Sequence, residues 1–293
     1  RFPAPPGFPE LEERTPSMLG TDPPEHDRLR GLVNQAFTPK IIRRLEPRMT
    51  EIANQLLDAA LEKREVDLVQ ALTYPLPVTI IAEIIGVPTE DNARFKDWSD
   101  KLVENLGSGL LAPPDLATLE RNRRIVAELG EYFSKLVEER RRSPREDLLT
   151  GLAQAELEGS KLDFDELLQM LILLLVAGNE TTTTLIGNTA LTLLDHPAEL
   201  ERLRRDPSLV PSAIEEVLRF SSPVQMDPRR ATADQELCGE KLRQGEIALC
   251  WLGSANRDAS VFREPDRFDV GRKENRHLAF GFGTHLCVGT HVA

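Results

Sequence analysis

Ten consecutive residues carry the most specific chemistry in this chain: Phe280-Gly-Phe-Gly-Thr-His-Leu-Cys287-Val-Gly289. Gly281, Gly283 and Gly289 let the backbone adopt angles closed to other residues and approach something large and flat. A loop that narrows onto a cysteine and then enters a helix directs peptide N–H groups and a helix N-terminus at the sulfur. Both favour the thiolate, the form that ligates metals. No second cysteine stands at zinc-site spacing. A lone thiolate in a glycine-lined loop suits an iron already held in a macrocycle and needing one axial ligand.

A second cluster is Ala177-Gly178-Asn179-Glu180-Thr181-Thr182, inside the longest apolar segment. A glutamate and several threonines are costly there unless they face a cavity or find partners. Gly178 weakens the helix, and threonine side chains compete for its backbone hydrogen bonds. Taken alone, Thr181 to Thr184 could equally decorate a helix surface. Glu216 and Arg219 share one helix face, where an exposed ion pair is worth a few tenths of a kcal/mol. His26 and Arg30 lie four apart on another helix, Arg229 (next to Arg230) opens a strand-like run to Asp234, and His285 precedes the cysteine by two.

In their order along the chain these motifs resemble the cytochrome P450 family, in its soluble bacterial form. The resemblance covers Asp22-Pro-Pro-Glu-His26 to Gly289. It implies a mainly α fold with a small β region, built around a long central helix. It implies haem b (iron protoporphyrin IX) ligated by Cys287, with Ala177, Phe280, Gly281 and Gly289 against the cofactor. His26, Arg30, Arg229 (favoured over its neighbour Arg230 by the register to Asp234) and His285 are the implied partners of its propionates. Glu180 and Thr181 become the acid and alcohol that deliver protons during O₂ activation. Leu173, Val176, Ala177, Gln225 and Met226 become substrate contacts. Glu216 and Arg219 become a buried ion pair with a third member from Pro265-Asp-Arg267-Phe268, structural in role.

The implied reaction is monooxygenation of a small, largely apolar substrate. Alternatives are a haem-thiolate peroxygenase, against whose peroxide route the Glu180-Thr181 pair argues, a haem-thiolate reductase, or a haem-binding fragment without activity. There is no Walker loop and no Gly-x-Gly-x-x-Gly opening a helix. Electrons are therefore expected from a ferredoxin- or flavodoxin-like protein with its reductase. Arg272, Lys273 and Arg276 are either solvated charges or part of a docking site for that donor.

The elements that must position these residues are legible from periodicity. Leu29, Leu32, Val33 and Phe37 mark a helical face, and a second amphipathic helix runs from about 41 to 63. Pro75 and Pro77 open a short apolar helix ending near Gly86. After Thr89 a helix runs to about Leu106. Gly107-Ser-Gly and Pro113-Pro114 break the chain before a long charged helix to about Arg142. In the family this helix–loop–helix is a lid. Asp163 starts the segment running to about Asp195, and short helices follow near 198–204 and 211–220. Strands are expected at Arg229–Thr232, Leu237–Leu242 and Ile247–Trp251. Helices first and strands late exclude a regular βαβ array.

The chain has 293 residues, 40% of them hydrophobic and 5% aromatic, with a net charge of −12 at pH 7. That charge gives nucleic-acid binding no support. The most apolar stretch, Leu167 to Val176, is too short to span a bilayer, so no membrane partner is expected. Three cysteines without framework spacing point to a reducing, cytoplasmic setting. Cys238 and Cys250 are expected to pack as small apolar side chains. Residues 1–293 are expected to form one haem-thiolate domain. The Pro-rich opening, Arg1 to Pro9, and the stop soon after the cysteine loop suggest a fragment lacking N- and C-terminal family elements.

Overall fold

A computed structural model describes residues 17–37, 39–103 and 115–292. The chain divides into two compact units, Arg1–Glu180 with Val288–Ala293, and Thr181–Cys287. The Pro-rich opening and the expected break at 107–114 lie outside the described residues.

The first unit is helical: α1 (Glu25–Ala36), α2 (Pro39–Leu61), α3 (Pro75–Ile85), α4 (Asn92–Val103), α5 (Leu116–Arg142), α6 (Leu148–Gln154) and the first half of α7 (Phe164–Asp195). Local chemistry sets their ends. Asp115 and Asp147 cap α5 and α6, accepting from Thr118 N and Thr150 N, each at 2.8 Å. Asp163 and Glu166 form a reciprocal capping box on α7, with bonds of 2.8 and 3.0 Å. At the end of α3, Gly86 takes φ +93°. Val87 N then reaches Ala82 O at 2.9 Å and Gly86 N reaches Glu83 O at 3.1 Å, the six-to-one and five-to-two bonds of a Schellman motif.

The apolar faces of these helices close one core. Leu29, Leu32 and Val33 of α1, Ile85 of α3, Phe95 and Trp98 of α4, Leu129 and Phe133 of α5, Leu148 and Leu149 of α6, and Leu167 and Leu171 of α7 are all buried. Fully burying such a side chain is worth about 1.5–3 kcal/mol. α7 is long and apolar enough to cross a membrane by length and composition, but Leu167, Leu171, Leu174 and Leu175 are committed to this core. Arg28 clamps α1 to the start of α7, pairing with Glu25 at 2.6 Å and with Glu166, and reaching Ser160 Oγ at 3.2 Å.

The second unit holds the rest of α7, then α8 (Pro197–Arg205), α9 (Val210–Phe220), four short strands and α10 (Leu252–Ala255). Val217, Leu218, Phe268, Val270 and Leu185 form its core. Strand β3 (Asp227–Arg230) pairs antiparallel with β6 (Ile247–Cys250), Arg229 opposite Ala248.

The structure revises four expectations. Leu237–Leu242 is a hairpin, with β4 (Gln235–Leu237) and β5 (Glu240–Leu242) joined at Cys238 (φ +53°) and Gly239 (φ +84°). Positive φ at both central residues is what a tight hairpin turn of this hand demands. Cys238 on that turn and Cys250 at the end of β6 are consequently exposed, not packed. α6 and the small hairpin of β1 (Glu156–Leu157) and β2 (Ser160–Lys161) arise in a stretch too short for periodicity to reveal. After Cys287 the chain forms turns, with Val292 N bonded to Gly289 O at 2.8 Å, where a helix was expected.

Candidate functional site

In the second unit the cysteine loop is shaped by its backbone. Gly281 and Gly283 lie at φ +73° and +76°, a region that strains residues with a Cβ. A short 3₁₀ turn spans Gly283–His285. The Cys287 N–H donates to Phe280 O at 2.9 Å and the Leu286 N–H to Gly283 O at 3.1 Å, so the loop folds back on itself. This leaves Cys287 exposed and outside any disulfide, and Phe282, earlier in the same loop, at 84% exposure. His285 is half-buried.

Also in this unit, Arg229 sits mid-strand on β3, exposed, its guanidinium 2.6 Å from Asp227 Oδ2. Gln225 donates to Ser222 O at 2.6 Å, and its own carbonyl accepts from Gly253 N at 3.0 Å. A Cβ at Gly253 would lie 2.2 Å from Gln225 Oε1, so that glycine is what lets the segment pass so closely. Met226 is half-buried.

In the first unit, α1 carries His26, buried at 1% exposure, and Arg30, half-buried, whose Nε donates to Asn34 Oδ1 at 3.2 Å. α7 is helical without interruption through Ala177–Thr184. On it Leu173 and Val176 are half-buried, while Ala177 and Glu180 are exposed. Thr181, the first residue of the other unit, is half-buried, and Gly289 is half-buried just beyond the cysteine.

The ion pair is buried as expected, but its third member differs. Glu216 and Arg219 have fully buried side chains 2.8 Å apart. The additional cation is Arg272, whose Nε lies 2.9 Å from Glu216 Oε2. Arg267 contributes only its carbonyl, accepting from Arg219 at 3.2 Å, and its guanidinium turns out to Glu264. Arg272 is therefore withdrawn from any docking role, while Lys273 and Arg276 are exposed. Asn179 is the other residue whose role the sequence concealed. It is fully buried, its Nδ2 donating to Ser99 Oγ at 2.8 Å. A polar residue within an apolar helix was the available signal.

The donor set fits a haem. Among the described residues no group of three or more His, Cys, Asp or Glu side chains could hold a metal ion. One soft thiolate ligand is what an iron carried in a porphyrin needs, and Arg30, Arg229 and His285 are of the chemistry that propionates require.

Comparison with known proteins bears on the whole chain. A family model described as Cytochrome P450 matches residues 2–293. Cytochrome P450 107B1 of Saccharopolyspora erythraea is 43% identical over 290 residues, covering 98% of this chain and 68% of that protein. The crystal structure of CYP109E1 from Bacillus megaterium in complex with testosterone is 44% identical at a TM-score of 0.86, covering 94% of this chain and 73% of that one. P450BioI, solved with an acyl carrier protein ligated to hexadec-9Z-enoic acid, is 36% identical at a TM-score of 0.88, covering 100% and 75%. The chain thus spans about two thirds to three quarters of the length of these relatives.

Proposed function

The chain belongs to the cytochrome P450 family of haem-b monooxygenases, and on that premise we propose that Cys287 supplies the axial sulfur and that residues 1–293 act as one haem-thiolate domain. When bound, a thiolate-ligated haem supplies the activation of O₂, one atom entering the substrate and the other leaving as water. The observation that carries the assignment is the exposed position of Cys287, outside any disulfide, on a loop bent by two left-handed glycines.

The remaining roles fall to this chain's own side chains. Glu180, exposed to solvent, would exchange protons with it, and the Thr181 hydroxyl would donate its own proton and be reprotonated from the Glu180 side. His26, Arg30, Arg229 and His285 hold the two propionates, Arg229 exchanging its ion pair with Asp227 for one with a carboxylate of the cofactor. Phe280, Gly281, Gly289 and Ala177 would line the porphyrin.

Leu173, Val176 and Ala177 of the first unit, and Gln225 and Met226 of the second, are the residues assigned to substrate contact. Their mainly apolar character supports a small, largely apolar organic substrate. The testosterone bound by CYP109E1 and the fatty acyl chain presented to P450BioI are both of that kind. Electrons come from a ferredoxin- or flavodoxin-like donor and its reductase, and the setting is cytoplasmic.

The test is the spectrum of the dithionite-reduced, haem-loaded protein under carbon monoxide. A strongly red-shifted Soret band is expected, lost in Cys287→His. A band unaffected by that replacement overturns the assignment.

A further inference from the structure

Asn179 immediately precedes the acid and alcohol assigned to proton delivery, yet it points elsewhere. Asn179 and Ser99 are each fully buried, and the Asn179 amide donates to Ser99 Oγ at 2.8 Å, joining α7 to α4 across eighty positions of sequence. Resting on the reading above, we propose that Ser99 and Asn179 are a positioning pair that fixes the rotation of the α7 turn bearing Glu180 and Thr181.

The argument begins with what makes this turn soft. Gly178 lowers helix propensity by about 1 kcal/mol relative to alanine. Four consecutive threonines follow, Thr181 to Thr184, whose hydroxyls compete for helix carbonyls. Gly178 has no side chain to grip a neighbour, and a Cβ there would only reach ordinary contact with Ile81, at 3.4 Å. A leucine at 179 would fill the space but could slide against its neighbours, because apolar packing is non-directional. An amide bonded to a hydroxyl is directional. Successive residues of an α-helix are rotated by about 100°. Pinning Asn179 to Ser99 therefore sets the directions in which Glu180 and Thr181 project, one and two steps on.

Ser99 is itself a firm anchor. Its neighbour Trp98 is buried and donates from Nε1 to Glu128 Oε2 on α5 at 2.9 Å. The Arg94 guanidinium lies 4.4 Å over the Trp98 ring, and Tyr132 on α5 donates to Asp91 Oδ2, just before α4, at 2.8 Å. The pair thus references the α7 turn to a fastened α4–α5 assembly, at the cost of burying two polar side chains.

The experiment compares Ser99→Ala, Ser99→Thr, Asn179→Leu and the double variant Ser99→Ala/Asn179→Leu in the haem-loaded protein. It reads unfolding midpoint, amide hydrogen exchange of residues 177–184, and peroxide released per electron delivered by a surrogate ferredoxin and reductase. Either polar deletion alone lowers the midpoint, because it strands a buried polar partner. In the double variant neither polar group strands the other, and the midpoint lies above that of Asn179→Leu. Exchange across 177–184 nonetheless stays raised about tenfold, and peroxide yield stays raised with it. Ser99→Thr, which keeps the hydroxyl, matches the parent in all three.

A double variant with parent-like exchange at 177–184 overturns the positioning role, as does exchange raised equally throughout the core of the first unit. Should Thr181→Ala leave peroxide yield unchanged, the proton-delivery reading fails separately, and the exchange data still decide the positioning.

Discussion

The Glu216 carboxylate is wholly buried and accepts from two guanidiniums, Arg219 on its own helix at 2.8 Å and Arg272 fifty-six residues later at 2.9 Å. The Asp269 N–H donates to it as well, at 3.0 Å. A carboxylate so placed joins α9 to the segment leading into the cysteine loop. Glu216→Gln is expected to cost about 3–5 kcal/mol, because it leaves buried arginine charge uncompensated. Arg272→Ala should also be severe, whereas Arg267→Ala should stay within about 0.5 kcal/mol. Urea unfolding of the three variants checks this, and a large loss in Arg267→Ala alone contradicts the assignment of Arg272.

Asp269 gives the fold a dependence on acid. Burial opposes its ionisation, but the Gly271 amide and the Arg202 guanidinium outweigh that and hold its carboxyl below the ordinary aspartate value. A lowered folded-state value contributes stability that is present above the unfolded pKa of about 3.9 and is lost as pH falls through the folded value. Asp269→Asn is therefore expected to destabilise by about 1 kcal/mol at pH 7, and the gap to the parent should close as pH falls below the ordinary aspartate range and through the lowered folded-state value. Unfolding midpoints measured across that range decide it.

Gly86 is irreplaceable for two reasons that add. Its φ of +93° strains any residue with a Cβ, and a Cβ there would lie 2.3 Å from Asp147 Oδ2. Asp147 cannot yield easily, because it caps α6 and accepts from the buried Arg140 at 2.5 Å. Arg140 in turn donates to Gly86 O at 2.8 Å. Gly86→Ala should cost at least about 2 kcal/mol, measured by thermal unfolding.

Thr181→Ala tests the proposed proton path without touching the core. Product formed per electron consumed is expected to fall by about an order of magnitude, with peroxide released in its place. The carbon monoxide spectrum should be that of the parent. Undiminished coupling would remove Thr181 from the path.

Much of this architecture was readable from sequence because helices announce themselves through spacing. Leu29, Leu32 and Val33 predict the buried face of α1, and Asp163 predicts the start of α7. The cysteine motif and the family match agree. What escaped detection was decided by tertiary geometry. Arg272 and Arg267 have the same local chemistry, and only the path of the chain around Glu216 selects between them. Cys238 follows Leu237 in a strand-like run, and the reversal at Gly239 turns it outward. Asn179 gains a partner eighty residues away, a distance over which periodicity carries no information.

The outward position of Cys238 and Cys250 has a practical corollary. Thiol-directed reagents will modify both ribbons, masking whatever happens at position 287. Replacing the pair with Asn and Ser, the former suited to a left-handed turn, leaves one sulfhydryl in the polypeptide. Protection of that group from alkylation then becomes a direct titration of prosthetic-group occupancy, independent of colour or turnover.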